Sequence, residues 1–337
     1  MVSDSGDSHP ETRVPGARTR RRLVRIPLER LLTRHMAVRI GVAILLVVVS
    51  VFTNRSFLGW GLFAVLAVLL VPHGRARSFL RAFVPYAAVW FLFGFLRSFA
   101  DATRHAQIVN TKVASLERWL FNGELPSIRL QVAFYSPGDL KWWDFYFTFV
   151  HWSYFLIPHG VAIWLWWREP DRFRRYLSAM TILLSLGLII YFAIPSNPPW
   201  MAPESVNSPG APTVLRSMEP IARQLGGGLY QAGYEVVGES NPIAAMPSIH
   251  FAITFLLVCV AANQRKRWRM AAWFYAFSMA AALVYMGEHY VIDIVAGALV
   301  TSAGWALAQA WIVRVRPVFM PRRIARREVS SRQPLPG

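Results

Sequence analysis

Long apolar blocks alternate with short polar ones along this chain. Apolar runs fall near residues 36–53, 57–72, 79–98, 143–167, 176–195, 247–262, 269–287 and 290–312. A helix of about 20 apolar residues crosses the roughly 30 Å hydrocarbon core of a bilayer. The pattern therefore predicts an all-α integral membrane protein with about eight transmembrane helices. The second and sixth runs are short, and the seventh and eighth are parted only by Glu288 and His289.

The polar blocks carry orientation. Basic clusters such as RARSFLR, REPDRFRR and NQRKRWR recur at every second loop, and positively charged loops remain cytoplasmic. With both termini cytoplasmic, 26 of the 36 basic residues lie on the inner side. That arrangement predicts a multi-pass plasma-membrane protein whose two long loops, 99–142 and 196–246, face outward. In the first, Val113, Leu116, Trp119 and Leu120 recur at helical spacing, as in a short helix lying in the interface. Loops of this length are uncommon unless they serve a site or are mobile.

Composition narrows the class further. The chain is 55% hydrophobic and 16% charged, too apolar for a soluble domain. Its net charge of +18 is dispersed between apolar runs and not gathered on one soluble module, which argues against nucleic acid as a partner. The single cysteine, Cys259, excludes an intramolecular disulfide and a cysteine-based metal framework. The expected organisation is a disordered basic tail (1–34), two N-terminal transmembrane helices (35–78), a six-helix membrane domain (79–313) and a second basic tail (314–337). Neither tail reads as a cleaved signal peptide.

The chemistry gathers at one membrane face. The sixth run starts with MPSIH, which places His250 in its first turn; the seventh ends and the eighth begins around GEHYVID. His250, His289 and Asp293 thereby share one depth at the outer surface. His289 and Asp293 are four residues apart, so on a helix they share a face and can hydrogen-bond. A carboxylate behind an imidazole fixes its tautomer and supports the imidazolium, making His289 a candidate nucleophile and His250 a candidate general acid. Ser248 and the N–H groups at the start of the sixth run suit an anion such as phosphate.

Pro247, Ser248 and His250 in MPSIH, with His289 and Asp293 in HYVID, resemble the second and third signature motifs of the type 2 phosphatidic acid phosphatase superfamily. The wider pattern, comprising the Arg97 to Asp101 segment, WWDFYFTFVH, SNPPW and GEHYVIDIVAG, resembles most the branch of inositol phosphorylceramide synthase-like proteins. The resemblance covers roughly residues 85–312. It implies a six-helix catalytic bundle and a metal-independent transfer through a phosphohistidine, with His289 as nucleophile, Asp293 as its orienting partner and His250 as proton donor. It implies neither cofactor nor metal. The donor would be phosphatidylinositol and the acceptor a lipid or glycan hydroxyl. The alternatives are a phosphatase acting on phosphatidic acid or a polyprenyl phosphate, and a lipid binder or transporter that has lost the chemistry.

The chain departs from the superfamily pattern in its cations. The first motif, a Lys and an Arg-Pro, is not found, and Ala282 and Leu283 replace the Ser-Arg pair before the nucleophile. A phosphate still needs a cationic clamp, for which Arg97 and Lys141 are the candidates. Asp144 and His151, seven residues apart on nearly one helical face, are candidates for a headgroup pocket, against a reading of interfacial solvation and helix-to-helix bonding. His159, deeper and next to Pro158, reads as a structural partner at a kink. Most of the 14 Trp read as interface anchors, with Trp200 a candidate cover for a substrate entrance. Two histidines and a carboxylate also suit zinc or iron, a reading ranked below the phosphohistidine one.

Overall fold

In a computed structural model of the chain, residues 76–97, 99–100, 112–154, 156–202, 213–224 and 244–319 are described, with residues 41, 42, 44 and 45. The N-terminal tail, the second tail beyond Phe319, nearly all of the first two predicted spans, Asp101 and parts of both long loops lie outside the described residues, while the last helix runs past the predicted boundary at 313. The fold is all-helical. The ten helices among the described residues are α1 (Ala76–Arg97), α2 (Lys112–Leu120), α3 (Pro126–Phe134), α4 (Trp142–Ser153), α5 (Ile157–Arg168), α6 (Pro170–Ala193), α7 (Met218–Gln224), α8 (Ile249–Ala261), α9 (Lys266–Tyr285) and α10 (Val291–Phe319).

Three of them, over Arg77–Arg97, Pro170–Ala193 and Val291–Trp311, are long and apolar enough to cross a bilayer. The helix α8 has only 13 residues, about 20 Å at 1.5 Å per residue, as its short apolar run foretold. The fourth predicted span is not one helix. It is α4 and α5, broken around Tyr154–Leu156 ahead of Pro158, whose ring cannot continue the preceding ladder. At the break Tyr154 N–H donates to His151 O, Leu156 N–H to Ser153 O, and the Ser153 hydroxyl to Val150 O. The seventh and eighth runs are two helices parted by a turn at 286–290, where Gly287 takes φ +75°.

Helix α10 packs along α6 and against α8, and α8 packs against α9 and α6; α4 lies on α9, α5 and α1 on α6. The main core runs through this bundle, with Tyr86, Tyr176, Met180, Leu183, Ile253 and Leu256 fully buried. His159 sits within it, its Nδ1 2.7 Å from the Tyr86 hydroxyl, as a structural partner between α5 and α1. A smaller cluster of Val113, Leu125, Ile128, Val214 and Tyr290 with Trp200 closes one end of the bundle. It seats α2 and α3 against the start of α10 and the end of α9.

Candidate active site

Two helix starts form the centre of the site. Ser248 caps α8, its hydroxyl accepting the Phe251 N–H at 3.3 Å. The main chain before it is tied at three points: Ala245 N–H donates to Ser196 O, Met246 N–H to the Ser196 hydroxyl, and the Tyr191 hydroxyl to Pro247 O. Ser248 N–H then donates to Asp293 O at 3.0 Å, fastening the start of α8 to the first turn of α10. Gly297 makes this approach possible, because a Cβ there would stand 2.7 Å from Ser248 O.

On α10, Asp293 is fully buried. Its Oδ2 lies 3.2 Å from His289 Nδ1 and accepts the Tyr290 N–H at 3.0 Å. The N–H groups of Glu288 and His289 both donate to Leu283 O, which fixes the turn holding the imidazole. With Nδ1 directed at a carboxylate, the hydrogen-bond network assigns the proton to Nδ1 and leaves the lone pair on Nε2.

His250 faces this dyad, its ring centroid 5.8 Å from that of His289. His151 of α4 lies on its other side at 4.7 Å, and the Tyr154 ring at 4.5 Å. The structure thus brings together His289, Asp293, His250, Ser248 and His151. The Nδ1 of His151 is buried with no hydrogen-bond partner among the described residues, and Asp293 Oδ1 is likewise unpartnered. Buried polar atoms are normally satisfied, so the space beside His151 suits a polar ligand.

Other candidates lie elsewhere. The Asp144 carboxylate accepts the Lys141 N–H at 2.7 Å and the Tyr285 hydroxyl, so it works as a helix-end bond for α4. It stands two turns, about 10 Å, from His151. Lys141 pairs with Asp139 at the exposed end of the same helix. The polar atoms of Asp144, expected in a headgroup pocket, and of Lys141, expected as a phosphate clamp, make these bonds at the start of α4. Arg97, the last residue of α1, lies over the Tyr191 ring with its guanidinium carbon 5.6 Å from the centroid, within electrostatic range of His250.

Two residues escaped sequence reasoning. Arg216 reaches the histidine turn from the second long loop, its Nε 3.0 Å from Glu288 Oε1 and its guanidinium 4.4 Å from the Trp200 centroid. Glu117 of α2 is fully buried and accepts the Ile292 N–H at 3.0 Å, capping α10 from outside. Burial pushes its carboxyl up to about 7 against the pull of the Ile292 and Val291 N–H groups, and Asp293 adds to the rise. Neither gave a clue: Glu117 faces inward with Val113 and Ala114, whereas Leu116, Trp119 and Leu120 of the apolar stripe are exposed.

The PAP2 superfamily model matches residues 111–307, more than half of the chain and all of the residues just described except Arg97. A phosphoinositol dihydroceramide synthase of Bacteroides thetaiotaomicron is 25% identical over 191 residues, 51% of this chain and 61% of that protein. An inositol phosphorylceramide synthase of Candida albicans is 22% identical over 193 residues, 56% of this chain and 39% of that protein. The chain therefore spans less than two thirds of either relative. The crystal structure of Aquifex aeolicus LpxE aligns with a TM-score of 0.38 at 16% identity, over 54% of this chain and 92% of that one. The chain belongs to the PAP2 superfamily.

Proposed function

We propose that this chain is a membrane phosphotransferase that moves phosphoinositol from phosphatidylinositol to a lipid or glycan hydroxyl through a phosphohistidine, at the outer leaflet of the plasma membrane. The observation that carries the reading is the His289–Asp293 dyad opposed to His250 across 5.8 Å, with the buried His151 alongside, its Nδ1 without a hydrogen-bond partner among the described residues. The names of the two curated relatives support the choice of donor.

In the first step the Nε2 lone pair of His289 attacks phosphorus. An N–P bond forms as the P–O bond to diacylglycerol breaks, and His250 gives its proton to the departing alkoxide. Asp293 accepts the hydrogen bond of the Nδ1–H and balances the charge growing on the ring. In the second step the neutral His250 takes a proton from the acceptor hydroxyl, whose oxygen displaces His289 from phosphorus. The burial of Asp293 strengthens its field at the ring because little water screens it.

The test uses purified full chain in detergent with labelled phosphatidylinositol or phosphatidic acid, with and without lipid alcohols, in the presence of a chelator. The expected result is diacylglycerol release from phosphatidylinositol that depends on the acceptor, survives chelation and is abolished in His289→Ala. Inorganic phosphate released from phosphatidic acid without an acceptor would replace the transferase with a phosphatase. Turnover retained in His289→Ala would remove the nucleophile and the proposal with it.

A further inference from the structure

The phosphate-binding cation expected in this superfamily is missing from the positions before the nucleophile, where Ala282 and Leu283 stand. The structure delivers another from a distant part of the chain. Residues 213–216 run across the turn that carries His289, where the Gln131 side chain bonds to them. The Gln131 amide accepts the Leu215 N–H at 2.8 Å and donates to Leu215 O at 2.7 Å and Tyr285 O at 2.9 Å. Gly287 leaves room for this arm: a Cβ there would stand 2.6 Å from a Val214 methyl and 3.2 Å from Leu215 O. Trp200, whose own N–H donates to Gly287 O, gives Arg216 a flat face to lie against.

The arm's product is the Arg216–Glu288 ion pair, with side chains only 14% and 10% exposed and one residue removed from His289. Both charges, with His289, lie within electrostatic range of His151. A buried ion pair contributes little net stability against a well-packed apolar pair, so fastening the loop does not by itself explain one here. A guanidinium matches the spacing of phosphate oxygens as well as that of a carboxylate.

Resting on the reading that the substrate is a lipid phosphate, we propose that Arg216 is the cation that binds the phosphate, and that Glu288 holds its place until the phosphate arrives. Arg216 exchanges one oxyanion partner for another, and no covalent step is involved. Glu288 thereby competes with substrate, and this distinguishes the inference from a purely structural ion pair. A tether predicts that loss of either partner does the same harm. A place-holder predicts opposite effects.

The experiment measures KM and kcat for whichever of the two lipids above the wild type turns over, and inhibition by inorganic phosphate, in wild type, Arg216→Gln, Arg216→Lys and Glu288→Gln. Arg216→Gln is expected to raise KM at least tenfold and to weaken phosphate inhibition by a similar factor; Arg216→Lys should fall between it and wild type. Glu288→Gln is expected to lower KM and strengthen phosphate inhibition at least threefold. Because Glu288→Gln keeps Arg216, its sign decides the matter even where Arg216→Gln folds poorly. Shifts in the same direction in both variants, or a wild-type KM in Arg216→Gln while His289→Ala is inactive, overturn the inference and leave the function standing. Turnover that survives His289→Ala sinks the function, and this inference with it.

Discussion

Gly297→Ala tests how finely the two histidines are placed. The added Cβ would stand 2.7 Å from Ser248 O, 3.4 Å from Ala252 N and 3.5 Å from the Phe251 ring. The nearest atom is main chain and cannot rotate away, so the start of α8 has to recede by about 0.7 Å to reach the 3.4 Å of ordinary contact. That movement stretches the 3.0 Å bond from Ser248 N–H to Asp293 O and carries His250 away from His289. Overpacking of this kind costs about 1–3 kcal/mol. A misplacement approaching 1 Å at reacting groups costs about 100-fold in rate.

The expected result is a variant that folds with a lowered melting temperature and loses roughly 10- to 100-fold in kcat/KM for the lipid. Gly187→Ala is the matched control. Its Cβ would meet Ile249 Cδ1 at 2.7 Å, the far end of a flexible side chain, and a rotamer change relieves it. Thermal unfolding in detergent and lipid turnover are measured on both. A Gly297→Ala protein as stable and active as Gly187→Ala would refute the argument that this main-chain contact sets the histidine spacing.

Two further outcomes follow from the same geometry. Asp293→Asn is expected to lower kcat/KM by about 100- to 10,000-fold, because an amide can donate to Nδ1 and reverse the tautomer; activity within threefold of wild type would contradict the dyad. Glu117→Gln tests a titration: the native carboxyl is raised from its ordinary 4.5 to about 7, so the native state holds the extra proton and stability falls as pH climbs through that window. Gln keeps the acceptor for the Ile292 N–H and stays neutral, so its melting temperature relative to wild type should rise from pH 5 to pH 8. A difference independent of pH would show that Glu117 does not titrate there.

The grouping of His250, His289 and Asp293 was legible in the sequence because its geometry is local. His289 and Asp293 are one helical turn apart, and MPSIH announces a helix start through Pro247 and the Ser248 cap, so topology alone set them at one depth. The break in the fourth span was legible only as a kink, since Pro158 marks a fault without showing that α4 and α5 end there. Arg216 was not legible. Its position depends on a Gln131 amide 84 residues away and on the room left by Gly287, and neither contact leaves a periodic trace. For Asp144 the sequence shows only the helical face shared with His151; that its oxygens accept the Lys141 N–H and the Tyr285 hydroxyl depends on the end of α9 and the start of α4.

A continuous transmembrane helix carries any tilt along its whole length, and helices tilt to match the thickness of the surrounding bilayer. The segment bearing His151 and His159 is instead two stubs of 12 residues, α4 and α5, joined at Tyr154–Leu156. The first stub is held by α9 and α7 and the second by α6 and α8. Each stub thus follows its own axis, and the direction in which α4 presents His151 to His250 is set by the helices that hold α4 and not by the course of α5.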